Sequence, residues 1–328
     1  MLTSEQNILF VFPGQGSQYK GMGGDLFKEY EIARKVYHQA SEVLGYDIAE
    51  LSFEDPQEQL NLTRFTQPAL LTHSIACLEV FRDLTEDRLQ PSMAAGHSLG
   101  EYSALVAANA LSFESALKLV QKRGELMGTY GEGEMSAFPL NVDTVRPIAE
   151  RYYCAIAGCN LPDQTVIAGE EADLDALVAD LKSAFPGKRA IRLDTEGAFH
   201  THLMVEAARR FRTVLSEVEF AEPSCPVFSN YTGKFHEPTS QAIRSRLFFQ
   251  LFHPVKWFAC LSLGLEQGID TIVEFGGGIG KSPEPDQKRP NLEGIVRKSL
   301  KFTGHDAQYV PAINAATIQA AAEVFFAS

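Results

Sequence analysis

The chain has 328 residues, 45% hydrophobic and 22% charged, enough to bury a large core with a smaller unit beside it. Its formal net charge of −13 argues against a general nucleic-acid binder, no uninterrupted apolar stretch reaches 18 residues, and the N-terminus shows no basic region followed by an apolar signal core. Five scattered cysteines, Cys77, Cys154, Cys159, Cys225 and Cys260, form no C-x-x-C pair; they suggest neither a zinc site nor a disulfide framework and fit a reducing cytoplasm.

The first element is the continuous apolar run 8–12, a buried parallel strand that ends at Pro13-Gly14. Helical periodicity follows over 25–44 and 67–84. A short strand, a sharp turn and a helix are predicted over 92–109, then an amphipathic helix over 113–128 with Ser112 as its N-cap. Past Gly131-Glu132-Gly133 the elements shorten: strand 135–141, helix 143–152, strands 153–159 and 164–168, helix 171–184, strand 188–193. That β-α-β-β-α-β order is ferredoxin-like. A helix over 203–217 follows, then strands near 226–229 and 271–275 with helices between them. Pro283, Pro285 and Pro290 mark a long irregular loop. The fold class is α/β: a large, α/β-hydrolase-like domain with a mostly parallel sheet over 1–130 and 199–328, and an inserted small domain over 131–198.

Gly96-His97-Ser98-Leu99-Gly100 is a G-x-S-x-G nucleophile elbow placed between the short strand and its helix. A serine there presents its hydroxyl above the sheet, beside backbone N–H groups that can receive an oxyanion. The same pattern also fits a helix N-cap serine between two packing glycines. A catalytic serine needs a base. His97 adjoins it but points away from the hydroxyl. His200 lies where the inserted segment returns to the large domain, as either a base at an inter-domain cleft or a satisfied structural histidine. The loop Pro13-Gly14-Gln15-Gly16-Ser17-Gln18 lacks the third glycine of a dinucleotide fingerprint, because position 19 is Tyr19. It offers an oxyanion N–H or is a tight turn. Residues 276–282 nearly spell a P-loop, but Phe275 stands where its first glycine belongs. Arg123 borders the packing stripe of helix 113–128; on residues alone a surface salt bridge is favoured over a carboxylate-binding fork. Lys281, Lys288, Arg289, Arg297, Lys298 and Lys301 form either a basic patch for an acidic partner or a solvated face.

Taken together, the motifs resemble those of malonyl-CoA:acyl-carrier-protein transacylases. The matching stretches are Phe10 to Gln18, Thr66-Gln67-Pro68-Ala69-Leu70, Gly96 to Tyr102, Arg123-Gly124, Asn160 to Gly169, Phe199-His200, Gln250-Leu251 and Pro254-Val255. The Gly197-Ala198-Phe199-His200 form resembles the discrete, trans-acting acyltransferases of polyketide synthesis, and the chain's own Met1 fits a stand-alone enzyme. The resemblance implies an [acyl-carrier-protein] S-malonyltransferase with Ser98 as the acylated nucleophile and His200 as its base. Gln15 and Leu99 would supply oxyanion N–H groups, Arg123 would hold the malonyl carboxylate, and Gln250 would orient His200 in place of an acid. Gln67, His97, Asn160 and Phe199 join them as orienting or substrate-binding residues, with Phe199 crowding an α-methyl branch. No bound cofactor or metal is expected. Malonyl-CoA enters as substrate, and the acceptor is the phosphopantetheine arm of an acyl carrier protein or of a carrier domain in fatty-acid or polyketide synthesis. A cytoplasmic monomer binding neither nucleic acid nor membrane is expected.

Two departures stand out: Glu274-Phe275-Gly276-Gly277-Gly278 replaces the usual glycine-proline-glycine stretch, and His253 stands where a small polar residue or asparagine is common. The rival readings are a proofreading acyl hydrolase acting on carrier-protein thioesters, an unrelated esterase, and a non-catalytic scaffold. Arg123 argues against the hydrolase.

Overall fold

Strand β1 (Ile8–Phe12) is buried at every position, as a central parallel strand covered on both faces requires. The computed structural model describes residues 7–326, so positions 1–6 and 327–328 of the expected large domain lie outside the described residues. After β1 come α1 (Gly24–Glu29), α2 (Glu31–Leu44), α3 (Ile48–Phe53) and α4 (Thr63–Leu84). The expected helix over 25–44 is broken at Tyr30, whose backbone is extended (φ −117°, ψ 126°). From that kink the Tyr30 hydroxyl accepts a hydrogen bond from Gln319, near the far end of the chain. Next are β2 (Met93–Gly96), α5 (Gly100–Ala107) and α6 (Phe113–Tyr130), the last capped by Ser112 as predicted.

The short elements follow in the predicted order: β3 (Glu134–Phe138), α7 (Val142–Arg151), β4 (Ala155–Leu161), β5 (Gln164–Gly169), α8 (Glu171–Ala184) and β6 (Ile191–Leu193). They are followed by α9 (Val205–Ser216), β7 (Phe228–Ser229), β8 (Lys234–Phe235), α10 (Ser240–Gln250), α11 (Trp257–Glu266) and β9 (Thr271–Phe275). The chain closes with α12 (Glu293–Thr303), β10 (Gln308–Ala312) and α13 (Ala315–Phe326), none of which the sequence pattern had announced.

The first sheet has the order β10-β9-β1-β2, every pair parallel, with Phe10 opposite Ala94 on one side and Val273 on the other. The strand expected over 226–229 shrinks to β7, which pairs antiparallel with β8; a single parallel bridge from Val227 to Ala94 extends the edge beyond β2. The second sheet is antiparallel in the order β4-β5-β3-β6. Edge-on contacts among Phe10, Phe81 and Phe275 knit β1, α4 and β9 into the main core. One face of the second sheet joins that same core through Met135, Ala157 and Val166; its other face closes over Val145, Ile167, Leu174 and Leu177. The two sheets therefore share a buried seam, and the serine motif opens onto it.

Candidate active site

The turn after β2 is built by exclusion. A Cβ at Gly96 would sit 1.8 Å from the Gly100 carbonyl carbon, and one at Gly100 would sit 2.2 Å from the Phe12 carbonyl oxygen. Only glycine fits either place, so the chain passes from β2 into α5 with Ser98 forced to φ +53°. Such a left-handed serine costs about 1–3 kcal/mol and persists where its surroundings hold it. Ser98 Oγ lies 2.8 Å from His200 Nε2. His200 Nδ1 lies 2.7 Å from the main-chain carbonyl of Gln250. Nδ1–H donates to that carbonyl, which leaves Nε2 free to accept the serine proton. Burial, helped by the nearby Arg123 charge, lowers the His200 pKa to about 3, so the imidazole is held in its basic form.

Arg123 is 1% exposed, which corrects the surface placement its residue pattern favoured. Its Nη2 donates to Ser98 Oγ at 3.3 Å and to Gln250 Oε1 at 3.0 Å. Its Nε is buried with no partner. Burial works against the guanidinium charge, and the Tyr102 and Glu101 side chains offset part of that. A buried cationic fork with an unmatched donor beside a serine hydroxyl is a ready site for a carboxylate.

Gln15, Gln67, His97, Ser98, Leu99, Arg123, Asn160, Phe199 and His200 all line one cavity of about 120 Å³, closed on its far side by Met135, Ala157, Val166 and Leu193. Gln250 is fully buried behind it. Gln250 meets His200 through its main-chain oxygen and not through its side-chain amide. His97 points away from the serine hydroxyl and meets Asn160 Oδ1 at 2.9 Å, bridging the turn after β2 to β4. Gln67 lends its amide nitrogen to Met127 Sδ at 3.5 Å and leaves its carbonyl oxygen unpartnered. Gln15 sits on the loop after β1, whose Gly14 approaches so closely that a Cβ there would lie 2.5 Å from the His97 carbonyl oxygen. That loop is braced from behind by Gly278, whose N–H donates to the Ser17 carbonyl at 2.8 Å, and the neighbouring Gly277 N–H ties the brace to α4 by donating to His73 Nδ1 at 3.0 Å. The near-P-loop is thus a brace. Of the basic stretch, Lys288 is buried over the Tyr19 ring and donates to the Gly280 carbonyl, while Lys281, Arg289, Arg297, Lys298 and Lys301 are exposed. His253 packs against Tyr231 and Phe252 and bonds the Phe249 carbonyl.

A profile described as "Acyl transferase domain" matches residues 9–261. The malonyl CoA-acyl carrier protein transacylase of Bacillus subtilis (strain 168) is 38% identical over 280 residues, which is 83% of this chain and 87% of that protein. The polyketide biosynthesis malonyl CoA-acyl carrier protein transacylase PksC of the same organism is 38% identical over 275 residues, 83% of this chain and 93% of its own. The chain belongs to the malonyl-CoA:acyl-carrier-protein transacylase family. Among solved structures, a type II polyketide synthase malonyl-transacylase in complex with its acyl-carrier protein superposes with a TM-score of 0.87 at 33% identity, covering 97% of this chain and 100% of that one. A FabD structure from Acinetobacter baumannii superposes equally well, 0.87 at 32% identity, over 99% and 100% of the two chains. The family likeness therefore runs past residue 261 through β9, β10 and α13.

Sequence reasoning missed three residues of this transacylase site. Asn230 Oδ1 accepts from the Ser98 N–H at 2.6 Å, and its Nδ2 donates to the Gly96 carbonyl at 2.8 Å, clamping the strained turn. Glu101, fully buried in α5, accepts from the Asn230 N–H and from Gln250 Nε2, each at 2.9 Å. His236 Nε2 completes the set at 2.8 Å from Glu101 Oε1. The one signal available was Glu101 itself, a charged residue on a helix turn whose other residues are apolar or small. Among the described residues no cluster of His, Cys, Asp or Glu could hold a metal, the five cysteines are free, and no helix is long and apolar enough to cross a membrane.

Proposed function

We propose that the chain moves malonyl from malonyl-CoA to Ser98 and then to the phosphopantetheine thiol of an acyl carrier protein, in a ping-pong cycle. The observation that carries this reading is the convergence of His200 Nε2 and Arg123 Nη2 on one oxygen, Ser98 Oγ, at 2.8 and 3.3 Å. Family membership makes the chain an [acyl-carrier-protein] S-malonyltransferase of fatty-acid or polyketide synthesis.

His200 Nε2 takes the Ser98 proton as Oγ adds to the thioester carbonyl. The tetrahedral oxyanion is received by the backbone N–H groups of Leu99, at the start of α5, and Gln15, on the loop above it. The intermediate collapses by expelling the coenzyme A thiolate, which recovers the proton from the imidazolium. The carrier thiol then repeats the sequence in reverse. Arg123 holds the malonyl carboxylate throughout. An acetyl group leaves that guanidinium buried and unpaired, at a cost of about 1–3 kcal/mol or more. Arg123 also steers the malonyl tail away from a path that water could use, which favours transfer over the hydrolase alternative. Gln67, His97 and Asn160 orient the acyl group, and Phe199 crowds an α-methyl branch.

The same reading treats the parallel-sheet part, 1–130 with 199–328, as an α/β-hydrolase-like catalytic domain and 131–198 as an inserted ferredoxin-like domain; the observed βαββαβ order and antiparallel sheet support the second. It requires no resident cofactor and takes the catalyst to be a cytoplasmic monomer. Malonyl-CoA and acetyl-CoA in competition, with a holo acyl carrier protein as acceptor, test the function. Malonyl-carrier protein is expected to dominate. Hydrolysis of longer acyl-carrier thioesters without malonyl transfer would overturn the proposal in favour of the proofreading hydrolase.

A further inference from the structure

The buried carboxylate of Glu101 touches neither the cavity nor Ser98 Oγ, yet it bonds Gln250, the residue that meets both groups converging on that oxygen, His200 and Arg123. One Gln250 side chain makes the connection. Its Nε2 donates to Glu101 Oε2 and to the Ser98 carbonyl, both at 2.9 Å, and its Oε1 accepts from Arg123 Nη2 at 3.0 Å. Turned over, the amide would set its NH2 against the guanidinium and its oxygen against a carboxylate and a carbonyl. Glu101 therefore fixes which way the Gln250 amide faces, and so decides whether Arg123 meets an acceptor or a donor. It is also the anion that faces Arg123 across this amide in a fully buried setting, where an unbalanced cation is costly. Asn230 and His236 hold Glu101 from the other side at 2.9 and 2.8 Å.

We infer that Glu101 is the positioning residue for malonyl selectivity: through the Gln250 amide it holds Arg123 in the pose that receives the substrate carboxylate. The inference rests on the transacylase reading above. It separates two jobs of Gln250. The main-chain carbonyl serves His200, and the side-chain amide serves Arg123.

The test compares rates of Ser98 acylation by malonyl-CoA and acetyl-CoA in the wild type, Glu101→Gln, Arg123→Ala and the double variant. Glu101→Gln is expected to cut the malonyl-to-acetyl ratio about tenfold or more, mostly through the malonyl-CoA KM, because a charged-group hydrogen bond is at stake. In the Arg123→Ala background the same change should move the ratio by less than about twofold, since the residue it acts through is gone. A ratio that falls equally in both backgrounds, or two rates that fall together, would overturn the inference and leave Glu101 a structural residue only. Gln250→Met decides the matter if Glu101→Gln does not fold. It removes the amide from Arg123 and from the Ser98 carbonyl but keeps the carbonyl on His200, so both rates should fall, malonyl the further, and an unchanged malonyl-to-acetyl ratio contradicts the inference. A wild-type chain with no malonyl preference would overturn the function itself, and is read before any variant.

Discussion

The parallel-sheet part brings to the cavity a serine in a left-handed turn, a buried arginine and a buried histidine, the last backed by the carbonyl of Gln250. The antiparallel sheet brings Met135, Ala157, Val166 and Leu193, with one polar residue, Asn160, which bonds back to His97. The first side holds the strain, the charge and the serine–histidine hydrogen bond. The second sets the volume. The difference follows from support: the turn at Ser98 is clamped by Asn230 and Gln250 inside the main core, whereas β6, at the edge of the second sheet, leaves Ile191 62% exposed. Groups that must stay within a few tenths of an ångström belong on the buried, cross-braced elements.

Four changes break or sharpen that division. Ser98→Ala and His200→Ala, singly, should each cost about 10³-fold or more in transfer, and the double change should cost little beyond either, as expected of groups acting as a unit. Steady-state transfer to holo carrier protein measures this. Arg123→Ala should lower the malonyl-to-acetyl preference about 10- to 100-fold without equal damage to acetyl transfer; an unchanged acyl preference sinks its assignment. Asn160→Ala, on the volume-setting side, should cost about tenfold or less. A loss matching that of Ser98→Ala would mean the antiparallel sheet carries chemistry after all. The smallest effect concerns pH. A histidine whose pKa is lowered to about 3 stays neutral as pH falls below its ordinary 6.5, so the base form is lost only on approach to pH 3. Ser98 acylation by malonyl-CoA should hold level from about pH 8 to 5. A sigmoidal fall centred near 6.5 would show that the imidazole is solvated and not buried.

The same division explains what could be read from the chain. The serine turn is local: two glycines, a serine and the residues on either side specify it within a dozen positions. His200 was legible from its place at the return of the inserted segment, with the bland alternative still open. Arg123 was not, because its position beside the α6 stripe fits solvent as well as core, and only the family resemblance turned it inward. Asn230, Glu101 and His236 act across more than a hundred residues of chain, through side-chain bonds to backbone and to other side chains that leave no periodic trace. The C-terminal elements were hidden differently. Gly276-Gly277-Gly278 and three prolines read as one long loop, and β10 carries Pro311, which an edge strand tolerates and a central one would not. The amphipathic helix α12 and the edge strand after it were absorbed into that loop.

The most direct test of the account is mass spectrometry of the intact enzyme incubated with malonyl-CoA alone, then with holo carrier protein. A single malonyl adduct should form, map to the peptide containing Ser98, and vanish as malonyl-carrier protein accumulates. No adduct on Ser98, or an adduct that decays to free malonate at the same rate with or without the carrier, would contradict it.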